Sequence, residues 1–241
     1  MKNRLLSSFF AVALCFSLNA QVSPVIFFND DPLTHNMHIT SDGKNYFTVN
    51  GGRSDDGQIN MFGLNGEFNA SYPVKLDMRS IFYNPKDKNL YVTTYGPEIF
   101  KVVDIYTGAI ELVYSSLYDD GQATPALSPN GKLLYIMDNG DIRVYNFKKG
   151  TLVNILSGFN HGEDFQTGAS AVAVDDKYIY TWDSVNKDIF MYSLKGKYIR
   201  TIRIRDGEYG FSLSCANGLI FVSTDGNYNT GTWYGYALMI K

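Results

Sequence analysis

The chain has 241 residues, with 21 basic against 24 acidic side chains and a formal net charge of −3. That mildly acidic balance argues against nucleic acid and anionic lipid as partners, because both call for basic patches. Aromatic residues make up 15% of the chain, with 18 Tyr, 16 Phe and 22 Gly, a composition that favours strands and tight turns.

Residues 1–20 carry Lys2 and Arg4, then an apolar stretch from Leu5 to Leu18, then Asn19 and Ala20. This is the layout of a secretory signal peptide, and it predicts an exported protein, secreted or periplasmic, whose single domain is 21–241. The apolar stretch is too short for an ordinary membrane span, and no later segment approaches that length. Leu14 before Cys15 is bulky where lipid attachment wants a small residue, so anchoring is not expected. With Cys15 removed, Cys215 stands alone, no intramolecular disulfide is expected, and stability must come from the core.

From residue 39 onward one phrase returns five times. It reads ITSDGKNYFTV from Ile39, FYNPKDKNLYVTT from Phe82, ALSPNGKLLYIMD from Ala126, VAVDDKYIYTW from Val172 and LSCANGLIFVST from Leu213. Its aromatics, Tyr46, Tyr91, Tyr135, Tyr180 and Phe221, recur every 41 to 45 residues, the period of one propeller blade. A second phrase follows the first four copies and ends at Gly66, Gly108, Gly150 and Gly196. Each unit therefore holds two hairpins, and the spacing predicts an all-β propeller of about five four-stranded blades. The fifth unit ends after its third strand, whereas PVIFFND from Pro24 has no partner within its own unit. That segment is expected to complete the last blade and close the ring, removing two open sheet edges.

The phrase LSPNGKLLYIMDNGDIRVYNFKKG resembles propeller repeats of the Tyr-Val-Thr-Asn type and, more loosely, tryptophan-aspartate repeats. The resemblance covers nearly all of 21–241 and is strongest in the third unit. It implies the fold and little about chemistry, because unrelated functions share this architecture.

By analogy with the fold, a site is expected on the face made by loops joining strand two to strand three and one blade to the next. The longest such loops begin at Asn50, Phe159 and Thr224, and the first carries Arg53 and Asp55. Acidic doublets at Asp30-Asp31, Asp55-Asp56, Asp119-Asp120 and Glu163-Asp164 are all expected in loops of that face. No cofactor is predicted. Ca²⁺ is the ion that Asp55, Asp120 and Glu163 would suit, although Asp before Gly also builds turns with no metal. His35 and His161 are candidate ligands or bases, with exposed or structural histidines as the plainer reading, and His38 is expected to pack inside its blade.

Arg79 is the cation expected to face the channel, where it would hold a carboxylate or neutralise Asp77. Tyr95, Trp182, Tyr209, Tyr228 and Trp233 are expected near loops, where their rings would grip a partner or merely stack blades. A buried, inert thiol is expected at Cys215. The leading expectation is a non-catalytic module that holds a protein or carbohydrate partner on this top face. The alternatives are a Ca²⁺-dependent hydrolase of lactonase or glycosidase type and a structural piece of an envelope complex. A glycosidase needs paired carboxylates across a cleft, and the inner-strand starts Ser80, Gln122, Ala169 and Ser212 supply none.

Overall fold

A computed structural model of the chain describes residues 21–138, 140–161 and 171–238. They form five four-stranded antiparallel sheets arranged as a five-bladed β-propeller. The expected leader, residues 1–20, and Glu163 lie outside the described residues.

Strand β1 (Ile26–Asp30) comes first, and blade 1 follows as β2 (His35–Ser41), β3 (Asn45–Gly51), β4 (Gln58–Gly63) and β5 (Phe68–Pro73). Blade 2 is β6 (Met78–Asn84), β7 (Asn89–Thr94), β8 (Ile99–Asp104) and β9 (Ala109–Tyr114). Blade 3 holds β10 (Ala126–Leu127), β11 (Leu133–Asp138), β12 (Asp141–Asn146) and β13 (Thr151–Leu156). Blade 4 is made of β14 (Ala173–Val174), β15 (Tyr178–Asp183), β16 (Asp188–Ser193) and β17 (Tyr198–Arg203). Blade 5 combines β18 (Ser214–Ala216), β19 (Leu219–Ser223) and β20 (Gly231–Tyr236) with β1 as its outermost strand. The closing strand is therefore the one expected, paired antiparallel from Ile26 opposite Gly235 to Asp30 opposite Gly231.

Turn chemistry sets the hairpins. The Asp42 carboxylate accepts the backbone N–H groups of Lys44 and Asn45, both at 2.8 Å, and Asp175 does the same for Lys177 and Tyr178 at 2.7 Å. The outer hairpins turn at Gly66, Gly108, Gly150 and Gly196, all with φ between +62° and +83°, where a Cβ would be strained.

Period-two alternation places the core. Each strand sends alternate side chains to the blade before and the blade after, so five apolar clusters form, one at each seam between blades. Tyr135 packs toward blade 4 while its neighbours Leu134 and Ile136 pack toward blade 2. All five repeat aromatics are buried. No blade could shield both of its apolar faces alone, which is why the ring rather than the blade is the stable unit.

The free edges of the inner strands are bonded across seams by side chains. Ser214 of blade 5 accepts the Ile39 N–H at 3.3 Å, and Thr40 of blade 1 accepts the Tyr83 N–H at 3.1 Å. His38 joins the same pattern, its Nδ1 lying 2.9 Å from the Ile81 carbonyl. It packs inside the ring, as its alternation predicted.

Candidate functional site on the top face

The inner strands of blades 1 and 2 each carry a bulge, one between Asn36 and His38 and one between Met78 and Ser80. The second bulge re-aims Arg79, an expected use of an extra strand residue. Its guanidinium is almost fully buried and pairs with Asp77, Nη1 to Oδ1 at 2.5 Å and Nη2 to Oδ2 at 3.4 Å. Asp77 Oδ1 also accepts the Gly52 N–H at 2.6 Å, so one carboxylate ties the blade 1 loop to the cation of blade 2. The guanidinium lies 5.0 Å from the centre of the Tyr95 ring, a cation–π geometry, and Tyr95 itself is 54% exposed. The Arg79 Nε is buried with no hydrogen-bond partner.

Blade 5 completes the patch. His35 Nδ1 lies 2.7 Å from Asp225 Oδ1. The carboxylate can only accept, so Nδ1 carries the proton of this hydrogen bond. The His35 ring stacks on Tyr209 at 5.9 Å and 17°, and meets Tyr228 edge-on at 5.5 Å. Tyr209 donates its hydroxyl to the Met37 sulfur at 3.5 Å, and burial, with Asp225 next in effect, pushes that hydroxyl above the ordinary tyrosine pKa.

The loop after β19 is seated on blade 1 by Asn36 N–H to the Asp225 carbonyl and Tyr228 N–H to the Thr34 carbonyl, both at 2.9 Å. Gly226, Asn227 and Tyr228 all take positive φ in that loop, the last at +64° with a side chain 55% exposed. A bulky residue in the left-handed region is strained, and strain of this kind gathers where a side chain must be presented.

Five of the expected residues, His35, Arg79, Tyr95, Tyr209 and Tyr228, are thus brought into one constellation with Asp77 and Asp225. Trp182 and Trp233 are corrections: both are fully buried in strands rather than displayed near loops. The Trp182 indole N–H donates to the Gly210 carbonyl at 3.0 Å, and that of Trp233 donates to Asp30 at 2.9 Å. Asp30 is another correction, because it is buried on the closing strand. Burial raises its pKa, against hydrogen bonds from Thr48, Trp233 and Asn60.

Arg53 and Asp56 form an exposed pair at 3.3 Å, worth little in water, and Asp55 beside them is exposed. Asp120 caps a turn by accepting the Gln122 N–H at 2.8 Å. Among the described residues no group of three or more His, Cys, Asp and Glu is placed to hold a metal. His161 packs beside Gly140, on the turn of blade 3, away from the His35 constellation.

At the opposite end of the channel, a cavity of about 330 Å³ is lined by inner strands from all five blades, including His38, Ser128 and Cys215. Burial, followed by Asp175 and Asp176, pushes the Cys215 thiol up to about 12, so it stays protonated and unreactive at neutral pH.

A methyl group added at Gly51 would overlap the Arg79 guanidinium and the Met78 carbonyl. Gly51→Ala is therefore expected to displace Arg79 from Asp77 and cost about 1–3 kcal/mol, read as a lower urea midpoint.

No family model matches the chain, and no curated protein does. Among solved structures it is similar to a chain of the crystal structure of the nidogen/laminin complex, at 16% identity over 68% of this chain and 62% of that one, with a TM-score of 0.49. It is also similar to apo AztD from Citrobacter koseri, at 10% identity over 73% of this chain and 49% of that one, with a TM-score of 0.37. The chain spans less than two thirds of either protein's length, and at these identities the likeness concerns the fold alone.

Proposed function

We propose that the protein is an exported, non-catalytic binding propeller that holds a protein partner on its top face. The observation that carries this reading is the constellation of Tyr95, Tyr209 and Tyr228 around Arg79 and His35, with Tyr228 held in strained backbone and half exposed. Tyr and Arg are the residues on which interface energy concentrates, and their fixed geometry here lowers the ordering cost of binding. The guanidinium of the patch is already countered, Arg79 by Asp77, and His35 is tied to Asp225, so the surface offers aromatic area and directed hydrogen bonds. Export is supported by Lys2, Arg4 and the apolar stretch that follows.

The test compares capture from envelope extract by the wild-type protein and by two variants, Tyr95→Ala and Tyr228→Gly. Glycine accepts the positive φ that tyrosine does not, so Tyr228→Gly should be no less stable than wild type in a thermal melt while losing the partner. A captured protein retained equally by both variants would sink the top-face reading.

A further inference from the structure

A second site lies at the ring-closure seam, away from His35, Arg79 and Tyr95. Closing strand β1 and the loop after it face the outer strands β4 and β5 of blade 1 across a groove of about 410 Å³. That volume is in the range that encloses a small ligand. We propose that this groove takes a neutral, hydroxyl-rich ligand, a short oligosaccharide, and that its occupant bridges the two ends of the ring.

One wall is polar and rich in acceptors. Asn60 is 3% exposed, and its Nδ2 sits between two acceptors, Asp30 Oδ1 at 2.7 Å and the Asp31 carbonyl at 3.1 Å. Only the amide nitrogen fits between two acceptors, so the orientation is fixed and Oδ1 is left buried with no donor. Gln58 repeats the arrangement, its Nε2 donating to the Asp31 carbonyl at 2.9 Å and its Oε1 accepting from Ser71 at 2.9 Å. Half-buried Gln58 and exposed Ser71 and Asp31 give this wall acceptors within reach of a ligand that brings O–H donors.

The other wall is aromatic. Phe68 is 57% exposed and stands edge-to-face on the buried Phe62, with ring centres 5.6 Å apart. A sugar ring offers both halves of the match, hydroxyl donors at its rim and an apolar C–H face for an aromatic ring. Charge narrows the class further: Asp31 at the rim disfavours an anionic ligand, and among the described residues no basic side chain lines the groove.

The walls belong to opposite ends of the ring, β1 to blade 5 and β4 and β5 to blade 1. Binding must therefore stabilise the closed propeller as a whole.

The test uses the full chain with cellobiose, maltose and N,N′-diacetylchitobiose, and with digalacturonate as the charged control. Saturation-transfer NMR is expected to report at least one neutral disaccharide, which raises Tm by about 5 °C or more at roughly a hundredfold excess over Kd. Phe68→Ala and Ser71→Ala alter exposed positions and leave folding intact; Phe68→Ala weakens that signal about tenfold or more, whereas Tyr95→Ala does not change it. Silence from all three neutral sugars, equal binding of digalacturonate, or binding that survives Phe68→Ala would overturn the proposal. Loss of the protein partner on the top face would leave these outcomes unmoved, so the two readings fail separately.

Discussion

Asp30→Ala is expected to lower the unfolding free energy by about 4 kcal/mol, one of the largest losses any single polar substitution in this ring should cause. The carboxylate is 2% exposed on the closing strand and accepts three hydrogen bonds, from Thr48 at 2.7 Å, Asn60 at 2.7 Å and Trp233 at 2.9 Å. Thr48 and Asn60 belong to blade 1 and Trp233 to blade 5, so one side chain fastens both sides of the seam. Removing it strands three buried donors, each at a cost of about 1–3 kcal/mol, and the neighbouring Phe28, which packs on Phe62 at 4.8 Å, cannot compensate for lost polar partners. A urea titration of Asp30→Ala, Trp233→Phe and the double variant gives the check. Trp233→Phe should cost less in the Asp30→Ala background than in wild type, with a coupling of about 1–3 kcal/mol. Additive losses would mean that the seam is held by its aromatic cluster alone.

The architecture was legible because its determinants are local and repeated. Asp-Gly, Asn-Gly and Asp-Lys turns mark the inner hairpins, and Gly66, Gly108, Gly150 and Gly196 mark the outer ones at positive φ. Ring closure needed only a count, since one unit lacked a fourth strand and one strand lacked a unit. The tryptophans were misplaced for want of the same alternation that placed the core. Trp182 follows Tyr180 by two residues and must share its inward face, and Trp233 pairs with Ser223 within the blade 5 sheet.

The site was harder to read, for a physical reason. Arg79 could be aimed at the channel from its place before an inner strand, but the bulge that turns it has no turn-residue signature. Asp225 reads as an ordinary turn former before Gly226, and its partner His35 lies 190 residues earlier, brought near by closure of the ring. Asp30 and Asp31 illustrate the limit most plainly. Adjacent and chemically identical, one is the buried fastener of the seam and the other lies exposed at a groove, because strand alternation assigns them opposite fates.

Between pH 6.5 and 4 the protein is expected to lose about 3 kcal/mol of stability through His38 alone. Burial lowers its pKa from 6.5 to about 4, with the hydrogen bond to the Ile81 carbonyl opposing. With Nδ1 donating to that carbonyl, the proton would have to enter at Nε2, which is buried and has no acceptor. The unfolded chain takes up that proton near pH 6.5 and the folded chain does so only near 4, so this stability is fully present above 6.5 and gone below 4. Asp30 acts with the opposite sign. Its folded pKa is raised above 3.8, so its contribution falls as pH rises from 3.8 through the folded value. Unfolding free energies measured from pH 7 to 4 in wild type, His38→Gln and Asp30→Asn separate the two. His38→Gln should flatten the acid-side loss, and Asp30→Asn should steepen it. A slope unchanged by His38→Gln would mean that the imidazole takes up its proton in the folded ring, which would require a partner at Nε2.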